Sequence, residues 1–236
     1  MINQKCPLIL RDLFSYDIVS AFPTVMNQIN YDFKKTDLNN KQERNIFIGN
    51  EQKNNEVLST YLNQSVESLI DFYLKENNVQ ENEIITTQKD GFILSKKLFN
   101  NNEFIEIKLR GYIDFLIISV DRKKFLYAID DKIIVKGLSY FYEKLNPIFE
   151  QFLNLNFYNK KNLFLQLDNI KKSIIHNNDK SFFLIPKDEK SLLVSTYKGN
   201  LEITNEKFIS IDMIDKQKYF DHYFKDFLQS IFLTFY

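Results

Sequence analysis

The sequence predicts an α+β protein, with an antiparallel sheet backed by helices followed by a mainly helical lobe. Three observations carry this. In residues 51–75, Val57, Leu58, Leu62, Val66, Leu69, Ile70 and Tyr73 recur at three- and four-residue steps, the pattern of a helix with one buried face. Between Ile84 and Val135, short β-branched and aromatic runs alternate with turn residues. Beyond Gly137 the helical period returns, with Phe141, Leu145, Ile148, Phe149, Phe152 and Leu153 as one stripe.

Residues 13–19 (LFSYDIV) have the content of a strand, and Pro23 stands near the start of a following helix, where its missing N–H costs little. Residues 27–45 are polar and rich in Asn and Lys, which predicts an excursion from the core before the helix of 51–75. After a polar break at 77–82, strands at 84–87 and 92–95 flank Lys89-Asp90-Gly91, so Asp90 is expected at a hairpin tip. Strands follow at 104–109, 112–120, 124–129 and 133–135, the last two joined by an Asp130-Asp131-Lys132 turn. Helices are predicted to about 158 and over 163–175. Short strands come next at 181–185 and 191–196, and one aromatic-rich helix over 216–235 closes the chain. No internal repeat is visible. The predicted division is 1–136 and 137–236.

A chain of 236 residues, 44% hydrophobic and 26% charged, can bury one sizeable core or a core with a smaller lobe. Lys+Arg 31 against Asp+Glu 31 leaves no global basic excess, so any surface for nucleic acid must be local. The single Cys6 cannot form an internal disulfide and reads as inert. His176 and His222 have no zinc-ligand spacing and read as surface or capping residues. The apolar stretch near the N-terminus is too short for a signal-peptide core and no run reaches membrane-spanning length, so a soluble intracellular protein is expected.

The chemistry rests on two carboxylates, Asp17 at a strand end and Asp90 at a hairpin tip. If those strands are neighbours, the carboxylates converge. Hard oxygen ligands without His or Cys suit Mg²⁺ and leave coordination positions for water and phosphate oxygens. The plainer reading of each residue is a solvated turn or cap.

At these residues the sequence resembles family B DNA polymerases. Asp17-Ile-Val-Ser20-Ala21-Phe22-Pro23 looks like that family's first palm motif, an Asp followed by a Ser-Leu-Tyr-Pro run. Lys41, then three residues, then Asn45-Ile-Phe-Ile-Gly49 has the spacing of its fingers motif, and Thr86-Thr-Gln-Lys-Asp90-Gly91 falls where its Tyr-x-Asp-Thr-Asp-Ser turn should be. Arg122-Lys123-Lys124-Phe125 resembles its Lys-Lys-Arg-Tyr element, Lys136-Gly137 the pair that opens the thumb, and Lys218-Tyr219-Phe220-Asp221 into Phe227-Leu228 the last thumb helix. Departures are also plain: Gln88 replaces the first Asp of the third motif, Ile46 and Ile48 replace Ser and Tyr, and Phe22 replaces Tyr. Only 17 residues separate Pro23 from Lys41, so fingers at about 27–50 are rudimentary and their basic residues are reduced to Lys34 or Lys35. No Asp-x-Glu exonuclease motif precedes Asp17.

The resemblance implies a palm-like domain at 1–136 and a thumb-like domain at 137–236. It implies a DNA polymerase core that joins deoxynucleotides to a primer 3′-hydroxyl with Mg²⁺ or Mn²⁺. Asp17, Asp90 and the Ile18 carbonyl would hold metal. The amides of Ser20 and Ala21 would meet the triphosphate, Phe22 would lie under the sugar, and Lys41 and Asn45 would serve the incoming nucleotide. Lys123, Lys124 and Lys136 would hold primer–template DNA through phosphate contacts, within a 121–172 segment carrying ten Lys/Arg against six Asp/Glu. A separately encoded exonuclease or other polymerase subunit is the implied protein partner, with no membrane, in the cytoplasm of a cell or an infected host. Phe22 reads equally as a core aromatic beside Pro23, and Lys41 as a solvated lysine. Two other classes stand beside the enzyme. One is a degenerate palm–thumb subunit that binds DNA or scaffolds a replication complex; the other is an unrelated α+β nuclease or structural protein.

Overall fold

The computed structural model describes residues 7–33, 40–89, 91–98, 106–138, 143–187 and 190–235. Among these, a six-stranded antiparallel sheet is built from β1 (Ile9–Ile18), β2 (Ile84–Gln88), β3 (Gly91–Leu94), β4 (Ile107–Ile118), β5 (Phe125–Ile129) and β6 (Lys132–Lys136) in the order β2-β3-β1-β4-β5-β6. A second sheet, β7 (Ile185–Pro186), β8 (Leu192–Thr196) and β9 (Gly199–Ile203), has three strands. The helices are α1 (Ala21–Gln28), α2 (Lys41–Asn54), α3 (Glu56–Glu76), α4 (Asn146–Leu153), α5 (Lys160–Ile175), α6 (Lys216–Tyr223) and α7 (Lys225–Phe235). The predicted α+β class is the one observed. No helix among the described residues is long and apolar enough to cross a membrane.

The described residues pack as two compact units, one within 13–112 and one within 113–235 together with 7–12. Strands β1 and β4 each contribute residues to both, and Asp12, a residue of β1 at φ 58°, stands where the chain passes from one unit to the other. By packing, β5 and β6 fall in the second unit. The reason is visible in the core, where Leu126 clusters with Leu145, Phe149 and Phe152.

In the first unit, α3 buries Leu58, Leu62, Val66, Ile70, Tyr73 and Leu74 against the sheet residues Tyr16, Ile18, Phe92 and Leu94. Tyr16 stacks on Phe92 with ring centroids 5.3 Å apart, and Leu98 N–H donates to the Tyr16 hydroxyl at 2.7 Å. The helix predicted from 51 is two helices. Asn55, in extended backbone, caps the second by accepting from Leu58 N–H at 3.0 Å, and Val57 in that first turn is 80% exposed. The polar stretch before it is helical from Lys41, with Ile48 its buried residue, so that part of the excursion is a surface helix.

In the second unit, Phe149, Phe152, Leu163, Leu167, Ile170, Ile174, Tyr219, Tyr223, Phe224 and Phe227 form the core. The predicted closing helix is interrupted at Phe224, whose fully buried ring packs on Phe149 and Phe152; its φ of −121° leaves the helical range. The strand predicted at 181–185 is mostly a 3₁₀ turn, Lys180–Phe183, because Asp179 accepts from Ser181 N–H and caps it. Strand β9 escaped prediction, since its polar Asn200 and Glu202 dilute a short alternating run. The runs predicted at 104–109 and 112–120 form one strand, β4, in which Gly111 is a strand residue rather than a break; residues 99–105 lie outside the described set.

Candidate functional site

Two groups of sequence-predicted residues have definable surroundings, one in each unit. In the first unit, alternation along β1 turns Tyr16 and Ile18 into the helix-covered core and leaves Asp17 on the opposite face. Across the ladder Asp17 is paired with Gly91, and Tyr16 with Phe92. Strand β3 thus begins beside Asp17, and its first residue directly follows Asp90 in sequence. Asp90 itself lies outside the described residues, as do Lys34, Lys35 and Cys6.

The Asp17 carboxylate, with its side chain 21% exposed, accepts a hydrogen bond and ion pair from the Arg110 guanidinium on β4, which is 58% exposed. Sequence reasoning missed Arg110. The two residues are 93 positions apart, and an arginine in an alternating strand reads as a solvent-facing charge; only the β1–β4 pairing brings them together. That pairing continues past the site, with Val19 N–H donating to the Glu106 carbonyl at 2.9 Å.

Ser20 follows in the left-handed region at φ 53° and turns the strand into α1. Its carbonyl accepts from both the N–H and the hydroxyl of Thr24 at 2.9 Å, while its own side chain makes no capping bond. Ala21 is buried and Ile18 is 1% exposed, so the chain beyond Asp17 is fixed by the core. Phe22 is part-buried and packs on the first unit's core. Lys41 opens α2, where Asn40 accepts from Gln42 and Glu43 N–H; Lys41 and Asn45 are both exposed. A Cβ at Gly49 would meet nothing within 4 Å.

In the second unit the three predicted lysines are drawn to one end of the β5–β6 hairpin. Lys136 is paired with Phe125, and Gly137, at φ +83°, passes so close to Lys123 that a Cβ there would lie 2.0 Å from its carbonyl oxygen. The Ser119 hydroxyl accepts from Lys123 and Lys124 N–H at 3.2 and 2.8 Å, and Asp121 accepts from Lys123 N–H at 3.1 Å. Desolvation opposes charge on Asp121, but the hydrogen bonds from Ser119 and Lys123 N–H and the nearby lysine charges outweigh it. They hold the carboxyl below its ordinary value. The side chains differ in use. Lys123 is exposed, whereas Lys124 is part-buried and donates to Asp226 and, at 3.2 Å, to the His222 carbonyl. His222 is exposed near the end of α6, and His176 is exposed at the C-cap of α5.

Among the described residues there is no group of three or more His, Cys, Asp and Glu side chains able to hold a metal. The described donors for one are the Asp17 carboxylate and neighbouring backbone carbonyls. Carboxylate and carbonyl oxygens are the ligand type that suits Mg²⁺, and the Asp17 carboxylate here carries the Arg110 guanidinium.

No family model matches the sequence, and neither does any curated protein. Among solved structures the chain is similar to the family B DNA polymerase from the hyperthermophilic archaeon Pyrobaculum calidifontis, at 10% identity and a TM-score of 0.46. The likeness covers 96% of this chain and 45% of the polymerase, so the chain spans less than half of that protein's length.

Proposed function

We propose that the chain is a minimal DNA polymerase core of the family B type, transferring deoxynucleotides to a primer 3′-hydroxyl, with residues 1–136 as palm and rudimentary fingers and 137–236 as thumb. The observation that carries this reading is the pairing of Asp17 with Gly91, which brings the β2–β3 hairpin to the end of β1 beside the left-handed turn into α1. With the motif order in the sequence, it supports Asp17 and Asp90 as the metal-holding pair, joined by the Ile18 carbonyl. Bound Mg²⁺ or Mn²⁺ would supply the chemistry, lowering the pKa of the 3′-hydroxyl and neutralising charge on the phosphoryl group. The residues' own tasks are binding and orientation. The first amides of α1, at Ser20 and Ala21, face an anion favourably, Phe22 stands beside them in sequence, and Lys41 and Asn45 lie on the exposed surface of α2. Lys123 and Lys136, brought together by the Gly137 approach, suit duplex phosphates.

A second reading, a non-catalytic palm–thumb subunit that binds DNA, is favoured by Arg110 occupying Asp17 and by Lys124 being committed to Asp226. Primer extension with the purified chain separates the two. A polymerase extends the primer with Mg²⁺ or Mn²⁺ and loses about a thousandfold in rate with Asp17→Asn or Asp90→Asn, since each removes several kcal/mol of transition-state stabilisation. Extension that persists in both variants refutes the metal assignment. Salt-sensitive duplex binding without incorporation at any metal concentration supports the second reading.

A further inference from the structure

We propose that Arg110 is an exchangeable counter-cation: it neutralises Asp17 while no metal is present, yields the carboxylate when a divalent ion arrives, and then receives the nucleotide's phosphates. This rests on the metal-site reading above and adds to it a residue that none of the sequence motifs contains. Asp17 is part-exposed, at 21%, and in the absence of metal its carboxylate is held by a cation. Arg110 supplies one from the neighbouring strand. Its own side chain is 58% exposed, so the pair is held in a largely aqueous setting where such contacts are weak. A divalent ion, with twice the charge and direct oxygen coordination, outcompetes it. The displaced guanidinium then stands beside a metal ion of like charge and is driven towards the nearest anion.

A phosphate is the anion that fits. The guanidinium's planar fork of donors matches phosphate oxygens, and unlike lysine it stays charged at every working pH. Three residues separate Asp17 from Ala21, where α1 begins and where a helix's first amides, lacking an intrahelical partner, favour an anion. The same carboxylate thus links the resident cation, the metal and the segment that would meet the triphosphate. A fixed charge nearby would also move metal and nucleotide affinity in opposite directions, so the distinction rests on Arg110→Lys, which keeps the charge and removes the fork.

The test measures binding in the absence of primer, so that no turnover occurs. Mn²⁺ alone and Mn²⁺ with deoxyadenosine triphosphate are titrated by calorimetry into wild type, Arg110→Gln, Arg110→Lys and Asp17→Asn. Loss of a weak competing cation should tighten Mn²⁺ binding to Arg110→Gln about threefold to tenfold, while its nucleotide affinity falls about tenfold. Arg110→Lys should lie near wild type for Mn²⁺ but remain impaired for the nucleotide, because lysine lacks the fork. Unchanged Mn²⁺ affinity in Arg110→Gln, or shifts of both affinities in the same direction, overturns the proposal. A melting temperature of Arg110→Gln close to that of wild type shows that the comparison concerns folded protein, and Arg110→Lys provides the test if it is not. Failure of the underlying site looks different: Mn²⁺ binding would be absent in wild type or indifferent to Asp17→Asn.

Discussion

Gly137→Ala should be among the most damaging single substitutions in the chain, although it adds one methyl group to an exposed residue. At φ +83° an L-residue is strained by roughly 1–2 kcal/mol. The new Cβ would lie 2.0 Å from the Lys123 carbonyl oxygen, and Cβ atoms essentially never approach closer than 3.0 Å, so two backbone segments must separate by about an ångström. Neither can move freely. Lys136 is tied to Phe125 in the ladder, and the Lys123 and Lys124 amides are bonded to Ser119. Overpacking against backbone adds roughly 1–3 kcal/mol, and the smaller entropy of the unfolded alanine chain offsets up to about 1 kcal/mol. The net loss should be about 2–4 kcal/mol. The chain contains no Trp, so urea unfolding is best followed by far-ultraviolet circular dichroism. Gly49→Ala is the control, since it fills open space in the exposed helix α2 and should stabilise by about 0.5–1 kcal/mol. A Gly137→Ala variant within about 0.5 kcal/mol of wild type would refute the close approach that gathers Lys123 and Lys136.

Two further substitutions divide packing from binding. Lys123→Ala should leave the unfolding midpoint unchanged but weaken duplex binding and reduce the salt slope by about one; Lys124→Met should instead cost about 1–2 kcal/mol of stability by removing the partner of Asp226 and the donor to the His222 carbonyl. Paired filter-binding and urea titrations check both. Thr86 is fully buried, and its hydroxyl has no hydrogen-bond partner among the described residues. Thr86→Val should therefore stabilise by about 1 kcal/mol in the same urea assay, and destabilisation would mean that the hydroxyl is bonded.

What could be read from the sequence was what local periodicity encodes. The α3 stripe from Leu58 to Tyr73, the hairpin around residues 89–91 and the Asp130-Asp131 turn, both of whose residues adopt positive φ, are each written within a few neighbouring residues. Asn55 was harder, because one side chain accepting one amide divides two helices whose composition runs on without change. Phe224 breaks a helical pattern for a tertiary reason, its burial between α4 and the chain's last helices. For the site, the position of Asp17 at a strand end was legible and its neighbour was not. Arg110 reaches it through a β1–β4 pairing that no local pattern announces, and Lys124 matches a basic motif while its ammonium is engaged by a carboxylate 102 residues away.

The most direct measurement is anomalous diffraction from crystals of the chain soaked with Mn²⁺ and a deoxynucleoside triphosphate bearing a non-cleavable α,β linkage. The polymerase assignment predicts manganese peaks about 2.0–2.2 Å from oxygens of both Asp17 and Asp90, with the triphosphate against the Ser20–Ala21 turn and Arg110 no longer on Asp17. Manganese bound elsewhere, or the two carboxylates too far apart to share an ion while Arg110 stays on Asp17, would contradict it.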